Sequence, residues 1–320
     1  MNRLGVIINP RSRHHRRNIR RTREILRQWP AVSAVEIDSI DQIHGELARF
    51  AENEIGIVAI SGGDGTIQAV MTALLNGGSF ERLPQLAVIS AGTTNLIAAS
   101  AGVRGRPDSA LDRLCKWSES GGPPARTLLQ PVLSLQRTPR EPAIHGMFLG
   151  TAAFYRAVLL AESDVHSLGV ERNLAVAMAL GMSVFHLLTQ RRPGGLWQGE
   201  AIALEADNAA LSSRDHLLFM STTLDRLVLG LTPFWGEGEG NLRYMAIDYP
   251  ANRLLSALLP MARGKPRPWF AEAGYRSGRA RECRLTLQCP IVFDGEIVTP
   301  EPGTPVVLRS DHRLEFWRDG

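Results

Sequence analysis

Ile55-Gly56-Ile57-Val58-Ala59-Ile60-Ser61-Gly62-Gly63-Asp64-Gly65-Thr66 is an apolar run that empties into three glycines in four positions, and the apolar stretch Ile67 to Leu75 follows at once. The order predicts a strand, a tight turn and a helix. Glycines lack the Cβ atoms that hold a polyanion away from the backbone, and a helix start at Thr66 aims unpaired N–H groups and a positive dipole end at it. Gly62, Gly63, Gly65 and Thr66 are therefore candidate phosphate-binding residues, with the Thr66 hydroxyl as a further donor. Asp64 is the one charge in the loop. A carboxylate beside phosphates is repulsive unless it holds a metal, takes a proton from an attacking hydroxyl, or points away, so its presence implies chemistry more than binding. The plain alternative is a strand-to-helix turn that happens to contain glycines. The spacing is neither Gly-x-x-x-x-Gly-Lys-[Ser/Thr] nor Gly-x-Gly-x-x-Gly.

A second station about 30 residues on repeats the arrangement: Leu86-Ala87-Val88-Ile89-Ser90 runs into Ala91-Gly92-Thr93-Thr94-Asn95-Leu96-Ile97-Ala98. Two strand ends that turn through Gly and Thr into helices would lie together at the carboxyl edge of a parallel sheet, where open α/β sheets bind ligands. Gly-Gly-Asp-Gly-Thr taken with Gly-Thr-x-Asn-x-x-Ala resembles the catalytic domain of the diacylglycerol kinase family, which includes sphingosine and ceramide kinases and bacterial lipid kinases. NAD kinases share the first motif; the second has the lipid-kinase form, and no Asn-Glu pair suited to a dinucleotide follows it.

The resemblance reaches both ends of the chain. Gly5-Val6-Ile7-Ile8-Asn9-Pro10-Arg11-Ser12 is similar to the family's opening strand and Asn-Pro-x-Ser turn, with Arg13 where Gly is frequent, and it implies that Asn9 touches the nucleotide. Asn-Pro is also an ordinary strand-ending turn. Ile291-Val292-Phe293-Asp294-Gly295-Glu296 is similar to a late Asp-Gly-Glu whose acids approach the phosphates from a second domain, although Asp-Gly is equally a hairpin signal. The chain departs from the family in two places. No acid stands between Pro123 and Gln136, and Glu239-Gly240-Asn241-Leu242 replaces an Asp-Gly-x-Leu metal-supporting element, which leaves the metal ligands unknown.

Composition fits an enzyme with real cores: 320 residues, 44% hydrophobic, 21% charged. Cys115, Cys283 and Cys289 have no Cys-x-x-Cys spacing, which argues against a disulfide framework and a zinc site and for a reducing, cytoplasmic setting. The apolar opening is a short strand rather than a signal peptide. The longest apolar run, Leu174 to Leu188, holds 15 residues including Ser183 and His186, too few to span a bilayer. It is apolar nearly all round, so it is core, an acyl-chain cleft or a lipid contact.

Between Arg11 and Arg23 stand seven arginines and no acid, so with a net charge of +4 the remainder sums to −3. A solvated helix face, attraction to anionic headgroups at the inner face of a membrane, and nucleic-acid binding compete; the absence of interleaved aromatics argues against nucleic acid.

Strands are expected at Leu4–Ile8, Val32–Ile37, Ile55–Ile60 and Leu86–Ser90, with helices near His14–Gln28, Ile40–Asn53, Ile67–Leu75, Leu96–Ala101 and Pro107–Ser118. The alternation predicts an α/β domain with a parallel sheet over residues 1–122, and the resemblance implies that it is of the NAD-kinase and diacylglycerol-kinase type. Ser118-Glu119-Ser120-Gly121-Gly122-Pro123-Pro124 is the expected boundary. From 123 to 320 short apolar runs broken by Gly and Pro suggest a β-sandwich domain, with a last strand placed to return to the first domain. Helical inserts are expected near Ala153–Glu162, Asn173–Thr189 and Ala251–Met261.

The resemblance implies ATP-dependent phosphorylation of a hydroxyl on a long-chain lipid: diacylglycerol, ceramide or a sphingoid base. ATP would lie on Gly62–Thr66 and Gly92 to Asn95 with Mg²⁺ neutralising charge. Asp64, or Glu296 with Asp294, would act as general base or metal-positioning acid. Alternatives are a nucleotide- and lipid-binding protein without turnover, and an NAD kinase-like enzyme. Oligomeric state is not legible.

Overall fold

The computed structural model describes residues 3–92, 96–120, 126–159, 198–212, 214–227 and 230–318. The Leu174 to Leu188 run, His186, Thr93, Thr94 and Asn95 lie outside the described residues. The chain divides into two compact units. The first comprises Met1–Val132, Ala143–Gly146 and His312–Gly320, and the second Leu133–Pro142 and Met147–Asp311.

In the first unit β1 (Leu4–Ile8), β2 (Ser33–Glu36), β3 (Ile57–Gly62) and β4 (Gln85–Ser90) alternate with α1 (Arg13–Arg27), α2 (Gln42–Glu52) and α3 (Asp64–Gly77), and α4 (Leu96–Ala101) and α5 (Pro107–Ser120) follow. All four strands are parallel, in the order β2-β1-β3-β4. Every residue of β1 and β3 is buried, the condition under which strands read as unbroken apolar runs rather than as alternation. The chain steps from β1 outward to β2, then crosses to the opposite side of β1 to lay down β3 and β4. Such a reversal opens a crevice between the carboxyl ends of β1 and β3. Asn9 follows the first of these ends and Gly62 closes the second.

Helix α1 buries His15, Thr22 and Ile25, one stripe at helical spacing. Ile25 joins Val6, Ile8, Ala59 and Ile89 of the sheet and Leu111 and Leu114 of α5 in one core. Each such Val, Ile or Leu side chain contributes about 1.5–3 kcal/mol by leaving water. Helix α3 is buried almost all round and stops at Gly78, whose φ of +60° ends the helix in the left-handed conformation.

The second unit is antiparallel. β7 (Phe148–Ala152), β10 (Asp215–Thr222), β11 (Leu242–Asp248) and β12 (Tyr275–Ala280) form consecutive antiparallel pairs, and β14 (Ile291–Phe293) adds to β7 while turning into β15 (Glu296–Val298). A second ladder joins β9 (Ala209–Ser212), β8 (Glu200–Ala206), β13 (Glu282–Leu287) and the start of β16 (Val306–Arg318). β5 (Arg126–Gln136), β6 (Ile144–Gly146) and α6 (Leu254–Ala262) complete the described elements used below. β16 is far longer than the apolar run Val306–Arg309 suggests: it continues through Asp311, His312 and Arg313, and Phe316 pairs in parallel with Leu86 in the first unit's sheet.

Candidate active site

Helix α3 begins at Asp64, with Gly63 as its N-cap, two residues before the expected start at Thr66. Gly62 still pairs with β4, opposite Ser90, so the strand runs to the glycine and only Gly63 makes the turn. Asp64 therefore occupies the first helical turn, where a carboxylate is favoured by the dipole. It is 8% exposed, and its Oδ1 accepts a 3.3 Å bond from the Ile97 N–H at the start of α4. One carboxylate thus links the two stations that the sequence sets about 30 residues apart.

The glycines are there for space. A Cβ on Gly62 would lie 2.8 Å from the Cβ of Thr66, and one on Gly63 would meet the Cα of Gly92 at 3.4 Å. Gly63 and Gly92 thus bring two backbones together at the sheet edge. Gly65 lies inside the first turn of α3.

Asn9 ties the crevice together. Its N–H donates to the Ser61 carbonyl at 3.0 Å, its Nδ2 donates to the Thr66 hydroxyl at 2.9 Å, and its Oδ1 accepts from the Arg11 N–H at 2.9 Å. The residue read from sequence as a nucleotide contact holds the end of β1 against the first turn of α3.

Sequence reading missed a layer beneath the loop. His15 Nε2 lies 2.9 Å from the Ser61 hydroxyl and His15 Nδ1 lies 3.3 Å from that of Thr22, while Thr22 Oγ1 donates to Asp108 at 3.5 Å. His14 Nε2 is 3.1 Å from the same Asp108 oxygen. Burial above all, and the neighbouring His14 next, push the His15 pKa down to about 4, so the ring is neutral near pH 7. The available signal was a histidine pair in a helix otherwise dominated by arginine.

Asp294 and Glu296 belong to the second unit, and they differ. Asp294 and Gly295, at φ +49° and +94°, form the two-residue turn between β14 and β15, a conformation for which Asp-Gly is favoured. Asp294 is buried, and its two carboxylate oxygens accept 2.9 Å bonds from the N–H groups of Met147 and Phe148. Glu296 is exposed. In the other departure from the motif, Glu239 pairs with Arg281, and Gly240 passes so close to the Ala280 carbonyl that a Cβ would come within 2.2 Å of it. Among the described residues no cluster of three or more His, Cys, Asp and Glu side chains could enclose a metal.

The arginines of α1 are exposed, as the sequence suggests, but not all are uncompensated. Arg23 makes a two-pronged pair with Glu36, its Nε and Nη2 each donating to one carboxylate oxygen at 2.7 Å, and Arg21 pairs with Glu24 at 3.3 Å. Arg13, Arg17 and Arg20 have no ion pair among the described residues. Among the described residues no helix is long and apolar enough to cross a membrane.

Residues 3–120 match the family model described as the diacylglycerol kinase catalytic domain. The recognition made from the two motifs stands. That stretch holds β1 to β4, the glycine loop and Asp64. Three solved structures from Bacillus anthracis str. Sterne are similar to this chain in fold, one described as a diacylglycerol kinase and two as candidates for one. The first has 14% identity, a TM-score of 0.65 and coverage of 98% of this chain and 96% of its own. The second has 14% identity, a TM-score of 0.61 and the same coverage. The third has 13% identity and a TM-score of 0.66, again over 98% and 96%. No curated protein matches.

Proposed function

We propose that the protein transfers the γ-phosphoryl group of ATP to a hydroxyl of a long-chain lipid, with diacylglycerol, ceramide and sphingoid bases as the acceptor class. The observation that carries this reading is the buried Asp64 in the first turn of α3, behind two glycines, at the crevice between β1 and β3. A carboxylate so placed is unsuited to passive phosphate binding and suited to chemistry on a hydroxyl. The nucleotide's phosphates would rest on Gly62, Gly63, Gly65 and Thr66, with Gly92 opposite and, by family resemblance, Thr93, Thr94 and Asn95 beside it.

The donor set suits Mg²⁺, which is typically held by one or two carboxylates together with substrate phosphates and water rather than by an all-protein cage. Asp64 is the one carboxylate in the loop. Bound there, the ion would neutralise charge building on the transferred group. Asp64 also fits the alternative role, removing the acceptor's proton as its oxygen attacks phosphorus and ADP departs. An ordinary carboxylate is a weak base for an alcohol, so alignment and charge stabilisation would supply most of the acceleration.

Glu296 is favoured over Asp294 as a second acid, because the Asp294 oxygens already serve the Met147 and Phe148 amides. That same occupation supports the rival reading, a nucleotide- and lipid-binding protein without turnover. Peripheral attachment at the inner face of a membrane is part of the proposal and rests on the exposed arginines of α1. Incubation of the pure protein with γ-labelled ATP, Mg²⁺ and dispersed lipid alcohols, with NAD as a further acceptor, separates the catalytic readings, and vesicle binding tests the attachment. A phosphorylated lipid identified by mass supports the kinase; nucleotide binding without any labelled product supports the binding protein; labelled NAD product supports the dinucleotide enzyme.

A further inference from the structure

Helix α6 turns its apolar side outward. Leu255 and Leu259, one helical turn apart, are 52% and 58% exposed, while Ala257 and Met261 on the opposite side are buried. A helix that is only loosely seated could do this by accident, but α6 is held at both ends. At its start the Tyr275 hydroxyl donates to the Asn252 carbonyl at 2.7 Å. At its end the Gly264 N–H donates to Met261 and the Lys265 N–H to Pro260, each at 2.9 Å, with Gly264 at φ +61°. This double bond around a left-handed glycine is the helix stop that fixes the direction of the following chain. Close by, Phe270 is buried and packs against Trp235, Trp269 and Tyr275.

The same segment is strongly basic. From Asp248 to Glu272 the chain carries Arg253, Arg263, Lys265 and Arg267 and no acid between them. All four are exposed. Arg253 lies over the Trp269 ring, and Arg263, Lys265 and Arg267 have no ion pair among the described residues. Two leucines presented to solvent beside a fixed cationic tail and a half-buried tryptophan match what an anionic bilayer surface offers: acyl chains below a layer of negative headgroups.

We propose that α6 and residues 263–267 dock the protein on an anionic lipid surface, with Leu255 and Leu259 entering the headgroup boundary and Arg263, Lys265 and Arg267 contacting the charges around it. Charge complementarity selects this occupant over a second copy of the chain, whose own basic segment would repel this one.

The test is partition of the full chain onto extruded vesicles of phosphatidylcholine alone and of phosphatidylcholine with phosphatidylglycerol, measured by cosedimentation without nucleotide. The triple variant Arg263→Gln, Lys265→Gln, Arg267→Gln is expected to bind the anionic vesicles roughly a hundredfold more weakly and the neutral ones unchanged. Leu255→Ser with Leu259→Ser is expected to weaken binding at least about tenfold. A dye on Leu259→Cys should shift to the blue on anionic vesicles; the native cysteines are buried. Matching circular dichroism melts for parent and variants guard against unfolding, since all altered side chains are exposed. Failure of the parent to bind anionic vesicles, or binding unmoved by both variants, overturns the proposal. So does sedimentation velocity in which the leucine variants dissolve a dimer. Turnover is not measured here, so the kinase reading stands or falls on the labelled-ATP incubation, and a failure there leaves the docking result untouched.

Discussion

The imidazole of His15 on α1 lies 2.9 Å from the hydroxyl of Ser61, the residue directly before the first glycine of the loop. The neutral ring can accept from Ser61 at Nε2 and donate to Thr22 at Nδ1, which leaves the Thr22 hydroxyl to donate to Asp108. A line of hydrogen bonds therefore runs from beneath the glycine loop to α5.

Two buried histidines, His15 in this line and His145 outside it, make the first unit acid-sensitive. The His15 pKa falls from 6.5 to about 4 through burial and then His14; His145 also falls to about 4, through burial and then His312. Between those values the unfolded chain binds protons that the folded chain does not, so stability falls as pH drops from about 6.5 to 4, by roughly 3 kcal/mol per histidine at most. Thermal melts across this window should show the loss, and His15→Gln should flatten it. A variant with the parent's full pH slope would remove His15 from this role.

Asp64→Asn should abolish phosphoryl transfer and leave the fold intact, because the new amide oxygen can still accept from Ile97. A rate within about tenfold of the parent, some 1.4 kcal/mol of barrier, would make Asp64 structural. Nucleotide binding, read by calorimetry, is expected to survive.

The two acids of the second unit should separate. Asp294→Ala strands two buried N–H groups and should destabilise the protein by about 1–3 kcal/mol, seen in denaturant titration. Glu296→Gln, at an exposed position, should leave stability alone and lower kcat much more than it changes KM for ATP. A normal kcat with a raised KM would mark a binding residue instead.

Gly62→Ala should impair the loop from within. Its Cβ would lie 2.9 Å from the Thr66 hydroxyl, displacing the group that Asn9 holds. A weakened affinity for ATP with little change in the far-ultraviolet spectrum is the expected result; unchanged affinity would show that the loop tolerates a side chain.

Replacing Arg16, Arg17, Arg20 and Arg21 with Gln should weaken binding to anionic vesicles, as should added salt, since exposed charges are screened within about 8 Å at physiological ionic strength. Because Arg21 already pairs with Glu24, restoring it alone should recover little. A binding curve indifferent to both changes would leave these arginines a solvated helix face.

Most strands and helices of the first unit were legible in the local sequence, with ends that shift by up to three residues, whereas the later segment Ala143–Gly146 that joins it was not. β1 was expected and found at Leu4–Ile8, α4 at Leu96–Ala101, and β4 within one residue, because buried parallel strands and their covering helices each announce themselves by local apolar runs and by glycine and proline stops. The glycine loop and Asp64 were legible for the same reason. Three things were decided only in space. The partners of Asn9 and His15 lie 57 and 46 residues away, and no local pattern encodes such a contact. The function of Asp294 depends on which amides come to face it. β16 carries an ordinary run of mixed polarity from Ser310 to Arg313, and its length follows from the strands it pairs with at either end rather than from its own side chains. Periodicity reports which face of an element is buried; it is silent on what that face is buried against, and the hydrogen bonds of this site are set by that second fact.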